Sequence, residues 1–265
     1  MRPKWARKSP LFCVTWGDRT VRTDLNTSGE LLWSNSWNVE VKRDGELLRP
    51  SSDWDVVCWY SDADVDYLEL EADLGPSCRL QRQFVLAKLD QFLFAADAVL
   101  GAESAKIDYQ CELPLVQDVE FHTDDETREG ILWKQKPLAS ILPVALPEWR
   151  LSQADGTLVV TDGIMRHSRT TMAQNLYAPL FFDLSQRRLC DSRTWRQLTV
   201  AERLEIQAAE VAVGYRVQVG RAQWLFYRSL AQKANRTVLG QNLASEFLAA
   251  RFSRDGTVEE LIEIE

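Results

Sequence analysis

Only two imidazoles occur in this 265-residue chain, and each sits among side chains with which it could do chemistry. In "TDGIMRHSRTT" (161–171), His167 follows Arg166 directly and precedes Arg169 by two positions, with Asp162 upstream. Neighbouring guanidinium groups disfavour an imidazolium, so His167 is expected to be a neutral base. A neutral base beside arginines that grip a carboxylate is the arrangement needed to abstract a proton next to a uronate. Tyr177, in "QNLYAPLFF", is the candidate acid for that step, which makes Arg166, His167, Arg169 and Tyr177 the candidate catalytic set. The same residues also read as a charged loop between strands, with Tyr177 as a core or wall residue.

The second imidazole, His122 in "EFHTDDETRE", is followed by Asp124, Asp125 and Glu126. Nitrogen and oxygen ligands so placed could hold a divalent cation, and His122, Asp124 and Asp125 are the candidate ligands. The plainer reading is an acidic, solvated turn. No Gly-x-Ser-x-Gly, phosphate-binding glycine loop or His-Glu-x-x-His occurs, which removes serine-hydrolase, P-loop and zincin chemistry at the motif level. No cofactor is expected.

The whole chain narrows the classes further. Its 39 acidic and 31 basic side chains give a net charge of -8, which repels a nucleic-acid backbone. No run approaches the roughly 18 to 20 apolar residues of a membrane span, and the basic N-terminus "MRPKWARKSP" lacks the apolar stretch of a secretory signal. The expectation is a cytoplasmic chain, in which the sequons at Asn26 and Asn235 carry little meaning. Cys13, Cys58, Cys78, Cys111 and Cys190 are widely spaced, odd in number and never Cys-x-x-Cys, so they are expected to be reduced, buried packing residues. Ten tryptophans are scattered over the chain; buried ones build core, and exposed ones would stack on sugar rings.

The elements that must position these residues read as strands. "SWNVEVK" (36–42) sets Trp37, Val39 and Val41 against Asn38, Glu40 and Lys42, and runs into an Asp44-Gly45 hairpin turn. "DYLELEADL" (66–74) presents Leu68, Leu70 and Ala72 on its apolar side. "CRLQRQFVLA" puts Leu80, Arg82, Phe84 and Leu86 on one face and Gln81, Gln83, Val85 and Ala87 on the other. "FLFAADAV" (92–99) is apolar on both faces except for Asp97, as expected of a strand in the middle of a sandwich. "AKIDYQCEL" (105–113) reads as a further strand, completing a meander. Adjacent antiparallel strands would place Arg82 across from Asp97 as a buried ion pair.

Further strand-like segments occur at 129–135, 148–153, 156–163, 175–184, 211–220 and 223–230. A closing hairpin turns at Ser253-Arg254-Asp255-Gly256, with a bulge expected at Glu259 and Glu260. The one helical signal is "TWRQLTVAERLEIQAAE" (194–210), where Thr199 and Glu202 form a capping-box pattern; the segment reads equally well as a strand. Roughly fifteen to twenty short strands predict an all-β fold with few helices, a large antiparallel β-sandwich of supersandwich type. Residues 1–265 are expected to form one such domain, or two packed sheet-rich halves with no clear linker.

The order of a strand carrying Arg82, a short turn, an apolar strand ending "FAADAVLG" and a charged alternating strand resembles the sheet-rich C-terminal region of the heparinase II/III-like polysaccharide lyases. More loosely, it resembles the galactose-mutarotase-like supersandwich. The resemblance implies a sandwich without its usual catalytic partner domain, and the strand pattern and tryptophan content are what suggest a carbohydrate ligand. The lyases also carry an N-terminal α-helical toroid that contributes catalytic residues, and no comparable set of paired helices is read here, so no catalytic residue carries over. The leading expectation is therefore a carbohydrate-binding or interaction module with a polysaccharide or protein partner. The alternatives are a lyase or epimerase-like enzyme acting on uronate-containing glycans, and a structural protein pairing through an exposed sheet edge.

Overall fold

The computed structural model describes residues 1–3, 9–75, 77–253 and 256–265, and these contain strands but no helix. β1 (Leu11–Gly17), β2 (Thr20–Thr27) and β3 (Glu30–Ser36) form a small antiparallel sheet. An eleven-stranded sheet follows, made of β4 (Asn38–Arg43), β5 (Glu46–Leu48), β6 (Asp55–Ser61), β7 (Val65–Gly75), β8 (Cys78–Ala87), β9 (Phe92–Pro114), β10 (Glu120–Thr123), β11 (Gly130–Lys134), β12 (Lys136–Leu142), β13 (Gly156–Thr161) and β14 (Ile164–Asp183). The remaining strands are β15 (Arg193–Leu198), β16 (Val200–Glu202), β17 (Glu205–Ile206), β18 (Ala212–Val219), β19 (Ala222–Ser229), β20 (Arg236–Val238), β21 (Gln241–Leu243), β22 (Phe247–Phe252) and β23 (Val258–Ile264). They divide into a five-stranded sheet, ordered β15-β18-β19-β22-β23, and a four-stranded one, ordered β17-β16-β20-β21.

The four sheets stack as layers joined by three cores. One face of the large sheet meets the N-terminal sheet through Phe12, Leu25, Trp33, Leu68, Phe84 and Phe182. Its other face meets the five-stranded sheet through Phe94, Phe181, Trp195, Tyr215 and Phe226, with Phe94 stacked on Phe226 at 4.3 Å. A third, smaller core lies between the five- and four-stranded sheets. The large sheet is thus covered on both sides, which is why "FLFAADAV" is apolar on both faces.

The alternation assigned to β8 holds: Leu80, Phe84 and Leu86 enter the first core, Val85 and Ala87 the second. Asp44-Gly45 makes the expected hairpin turn between β4 and β5, with φ of 50° and 87°. The meander of β7, β8 and β9 also holds, but residues 92–114 are one 23-residue strand where two were expected. β9 pairs with the 20-residue β14 on both sides of its residues 101–104, and together they form the spine of the sheet.

Other expectations shift. Segment 148–153 is no strand; Trp149 makes only an isolated bridge to Thr127. The capping-box segment is β15 to β17, because pairing Leu198 with Gly214 and Val200 with Val238 outweighs a local helix signal. The terminal hairpin forms, its register slipping between Ala249 and Ala250 so that Leu261 is bulged, one residue beyond the expected place. Its turn residues Arg254 and Asp255 lie outside the described residues. All five cysteines are free, but only Cys78 and Cys111 are buried, and Cys190 is exposed rather than packed.

Arg82 and Asp97 are paired in register across β8 and β9, and both are almost wholly buried. The pair is bidentate, Nε to Oδ1 at 2.7 Å and Nη2 to Oδ2 at 2.8 Å. The Tyr109 hydroxyl donates to Asp97 at 2.7 Å, and Arg82 Nη1 donates to the Trp37 carbonyl at 2.7 Å. The guanidinium also lies 5.6 Å and 5.4 Å from the rings of Trp37 and Trp54. Removing one partner strands the other charge, so Asp97→Ala is expected to cost about 3–5 kcal/mol in chemical denaturation. The double replacement Arg82→Met, Asp97→Leu is expected to recover most of that loss. A cost for Asp97→Ala below about 1 kcal/mol would show that the charge is not confined as described.

Candidate functional site

The "charged loop" around His167 is strand: an Asp162-Gly163 turn closes the β13–β14 hairpin, and His167 lies in β14 opposite Leu158 and Cys111. Its side chain is fully enclosed, edge-on to Tyr109 at 6.1 Å, and neither ring nitrogen has a partner among the described residues. Burial first, and Arg169 second, push its pKa down to about 3. Burial, more than the arginine neighbours that the sequence singles out, is what disfavours the charged imidazole.

The other three residues point elsewhere. Arg166 is half-exposed and pairs with Glu112 at 2.8 Å. Arg169 pairs with Asp155 and donates to the Tyr177 carbonyl at 2.9 Å, while the Tyr177 hydroxyl donates to Gln83 at 2.7 Å in the second core. Arg169 and the Tyr177 backbone meet, but the four side chains do not converge on an open cleft.

The expected metal ligands are also separate. His122 reaches Glu120 at 2.9 Å and stacks on Trp133, while Asp124 accepts the backbone N–H groups of Glu126 and Thr127. Those bonds hold the Asp124 carboxyl below its usual range. Asp125 is exposed, and among the described residues no group of three or more His, Cys, Asp or Glu is placed to hold a metal ion.

What the fold does assemble is a polar chain inside the second core. From Tyr177 it runs through Gln83, whose amide donates to the Tyr67 hydroxyl at 2.8 Å, and on to Glu69, which accepts from Tyr67. Glu69 accepts from Arg228 Nη2 at 2.8 Å, and the same Nη2 reaches Gln81 and Glu246. Burial works against the Arg228 charge, but Glu69, then Tyr67 and Glu246, outweigh it and raise its pKa. Burial holds the Tyr67 and Tyr177 phenols well above their usual range, so both remain donors. Arg228 Nε and Nη1 have no partner among the described residues.

The chain surfaces at a cleft of about 730 Å³ whose wall includes Gln81 and Glu246. Asp73, Ser77, Arg79, Gln174, Asn175, Ser229, Gln232 and Lys233 complete its polar lining. Asn175 fixes the wall, accepting from Gly101 N–H at 3.1 Å and donating to the carbonyls of Glu210 and Leu230. Gln174 drops out of the β14–β9 ladder at the register shift between Ala173 and Asn175. Arg79 leans on Glu71 at 3.3 Å, and Lys233 is exposed at the rim. A second cleft, of about 440 Å³, shares Gly75, Ser77, Cys78 and Ala102 with the first and extends it toward Arg43 and Glu46.

No protein-family model matches the sequence, and no curated protein does. Solved structures do match. The heparan sulfate lyase HepC from Pedobacter heparinus superposes with a TM-score of 0.59 at 9% identity, over 88% of this chain and 41% of the lyase. A heparinase III gene product superposes with a TM-score of 0.57 at 10% identity, over 86% of this chain and 40% of that one. The chain therefore spans about two-fifths of the length of the lyases it matches. At the level of fold it is a heparinase III-like β-sandwich, as the Arg82 and Asp97 strands suggested.

His167 carries a pH signature. Its unfolded pKa is about 6.5 and its folded value is lower, so protons bind the unfolded chain preferentially. The stability it permits is complete above about pH 6.5 and is lost as pH falls toward the folded value. Between pH 7 and 5 that loss is about 2 kcal/mol, and His167→Leu is expected to abolish it in urea titrations at the two pH values. An unchanged pH dependence in His167→Leu would contradict the burial.

Proposed function

We propose that this chain is a carbohydrate-binding β-sandwich whose ligand lies in the cleft walled by Gln81, Gln174, Lys233 and Glu246. The observation that carries the reading is the lining itself: side-chain amides, the hydroxyls of Ser77 and Ser229, and the cations Arg79 and Lys233 beside the carboxylates Asp73 and Glu246, held from behind by a buried network. Its size falls within the about 300–1,000 Å³ of small-molecule sites. Amides and hydroxyls suit sugar hydroxyls, and Arg79 and Lys233 suit a carboxylate or sulfate. The fold likeness to lyases of heparan sulfate supports an acidic polysaccharide as the ligand. The enclosure of His167 and the engagement of Tyr177 with Gln83 favour binding over a lyase or epimerase step.

Calorimetry with heparan sulfate and with a neutral glucan tests this reading. Binding of the acidic glycan is expected, weakened about tenfold, or about 1.4 kcal/mol, by Lys233→Glu. Absence of binding to either polymer overturns it.

A second reading, self-association, is favoured by one observation. β6 ends one side of the eleven-stranded sheet with no further strand paired to it among the described residues, and Val56, Val57, Trp59 and Tyr60 on it are 46%, 51%, 55% and 45% exposed. Such an edge is a template for pairing with a second copy. Sedimentation is expected to show a dimer that Trp59→Lys dissociates, and a monomer at high concentration would remove this reading.

A further inference from the structure

A different surface, the segment between β12 and β13, has no strand structure yet is rigidly fixed. Arg128 stands at its centre: Nη1 donates to the carbonyls of Pro147, at 2.9 Å, and Trp149, and Nη2 donates to those of Arg150 and Ser152 at 3.2 Å and 2.7 Å. Backbone bonds Arg128 N to Glu148 O and Arg150 N to Glu126 O tie the segment to its neighbour on the other side. Toward the five-stranded sheet, Glu148 accepts from the Thr194 hydroxyl and the Trp195 N–H, and the Trp195 indole donates to the Leu146 carbonyl at 2.8 Å.

All this order holds an indole out in solvent. Trp149 is 52% exposed, and its ring N–H donates to no described residue. Beside it lies a cleft of about 450 Å³, with Ser152, Thr194, Arg196 and Gln197 on its walls. Arg196 is exposed and forms no ion pair among the described residues; its cross-strand neighbour is a second cation, Arg216. Arg196 thus shares a cleft with a fixed, exposed indole, and the one carboxylate lining that cleft, Glu148, is engaged by the Thr194 hydroxyl and the Trp195 N–H rather than by Arg196. The indole offers a flat apolar face for the C–H side of a sugar ring, and the guanidinium a fork for a carboxylate or sulfate. Because Arg128 fixes the segment in advance, little ordering entropy remains to be lost on binding.

We propose that Trp149 and Arg196 form a second saccharide subsite, in which the ring stacks on Trp149 and an anionic substituent pairs with Arg196. The proposal rests on the carbohydrate-binding reading above but shares no residue with its cleft. The test is calorimetry of the full chain with a heparan sulfate tetrasaccharide and with cellotetraose, on the wild type and on Trp149→Ala, Arg196→Gln and Lys233→Glu. All three positions are exposed, and a thermal melt of each variant checks that folding is retained. Two sites for the acidic tetrasaccharide are expected. Trp149→Ala should remove one of them, Arg196→Gln should weaken that one at least tenfold for the acidic ligand only, and Lys233→Glu should leave it intact. A Trp149→Ala isotherm identical to wild type overturns the subsite while leaving the cleft reading in place. Loss of a site in Trp149→Ala with Lys233→Glu silent upholds the subsite and removes the cleft. No binding by the wild type overturns both.

Discussion

Covering the eleven-stranded sheet on both faces is the constraint on which the rest of the structure depends. A charge in the covered middle of β7, β8 or β9, unlike Arg79 or Lys106 toward the strand ends, then enters one of two cores, where an unpaired ion is prohibitively costly and a paired one must also satisfy its remaining hydrogen bonds. Two clusters, one in each core, show how the sheet meets that demand. Toward the N-terminal sheet, Arg82 is closed off by Asp97, Tyr109, the Trp37 carbonyl and two indoles. Toward the five-stranded sheet, Arg228 reaches across to Glu69 and Gln81 and joins the layers by a polar contact between strands distant in sequence.

The two arrangements differ in where they end. The Arg82 cluster is sealed and fixes the register of β8 on β9, so it is scaffold. The Arg228 chain reaches the surface through Gln81 and Glu246, and places the cleft where the end of β8, the bulge in β14 and the segment after β19 come together. A cleft backed by a buried, hydrogen-bonded floor keeps its shape without a ligand, which lowers the ordering cost of binding.

Much of the scaffold is legible in the sequence because period-two alternation states which residues share a face. Leu80, Phe84 and Leu86 against Val85 and Ala87, and Arg82 opposite Asp97, follow directly. Alternation does not say what covers the second face: Glu69, Gln81 and Gln83 look solvated from sequence, yet are buried because another sheet lies over them. The same blindness applies to His167, whose arginine neighbours suggest an open charged site while the fold encloses it. Gly101-Ala-Glu-Ser resembles a turn, but β14 pairs on either side of it and carries β9 through. The cleft was out of reach because it joins residues 79–81, 174–175, 229–233 and 246, which no local pattern connects.

Hydrogen exchange of the intact chain with and without a heparan sulfate oligosaccharide tests the central claim most directly. The account predicts slowed exchange at the amides of 77–81, 174–175 and 229–233, the backbone around the cleft. Measurable binding with those amides unchanged would contradict it, since the ligand would then lie on some other surface.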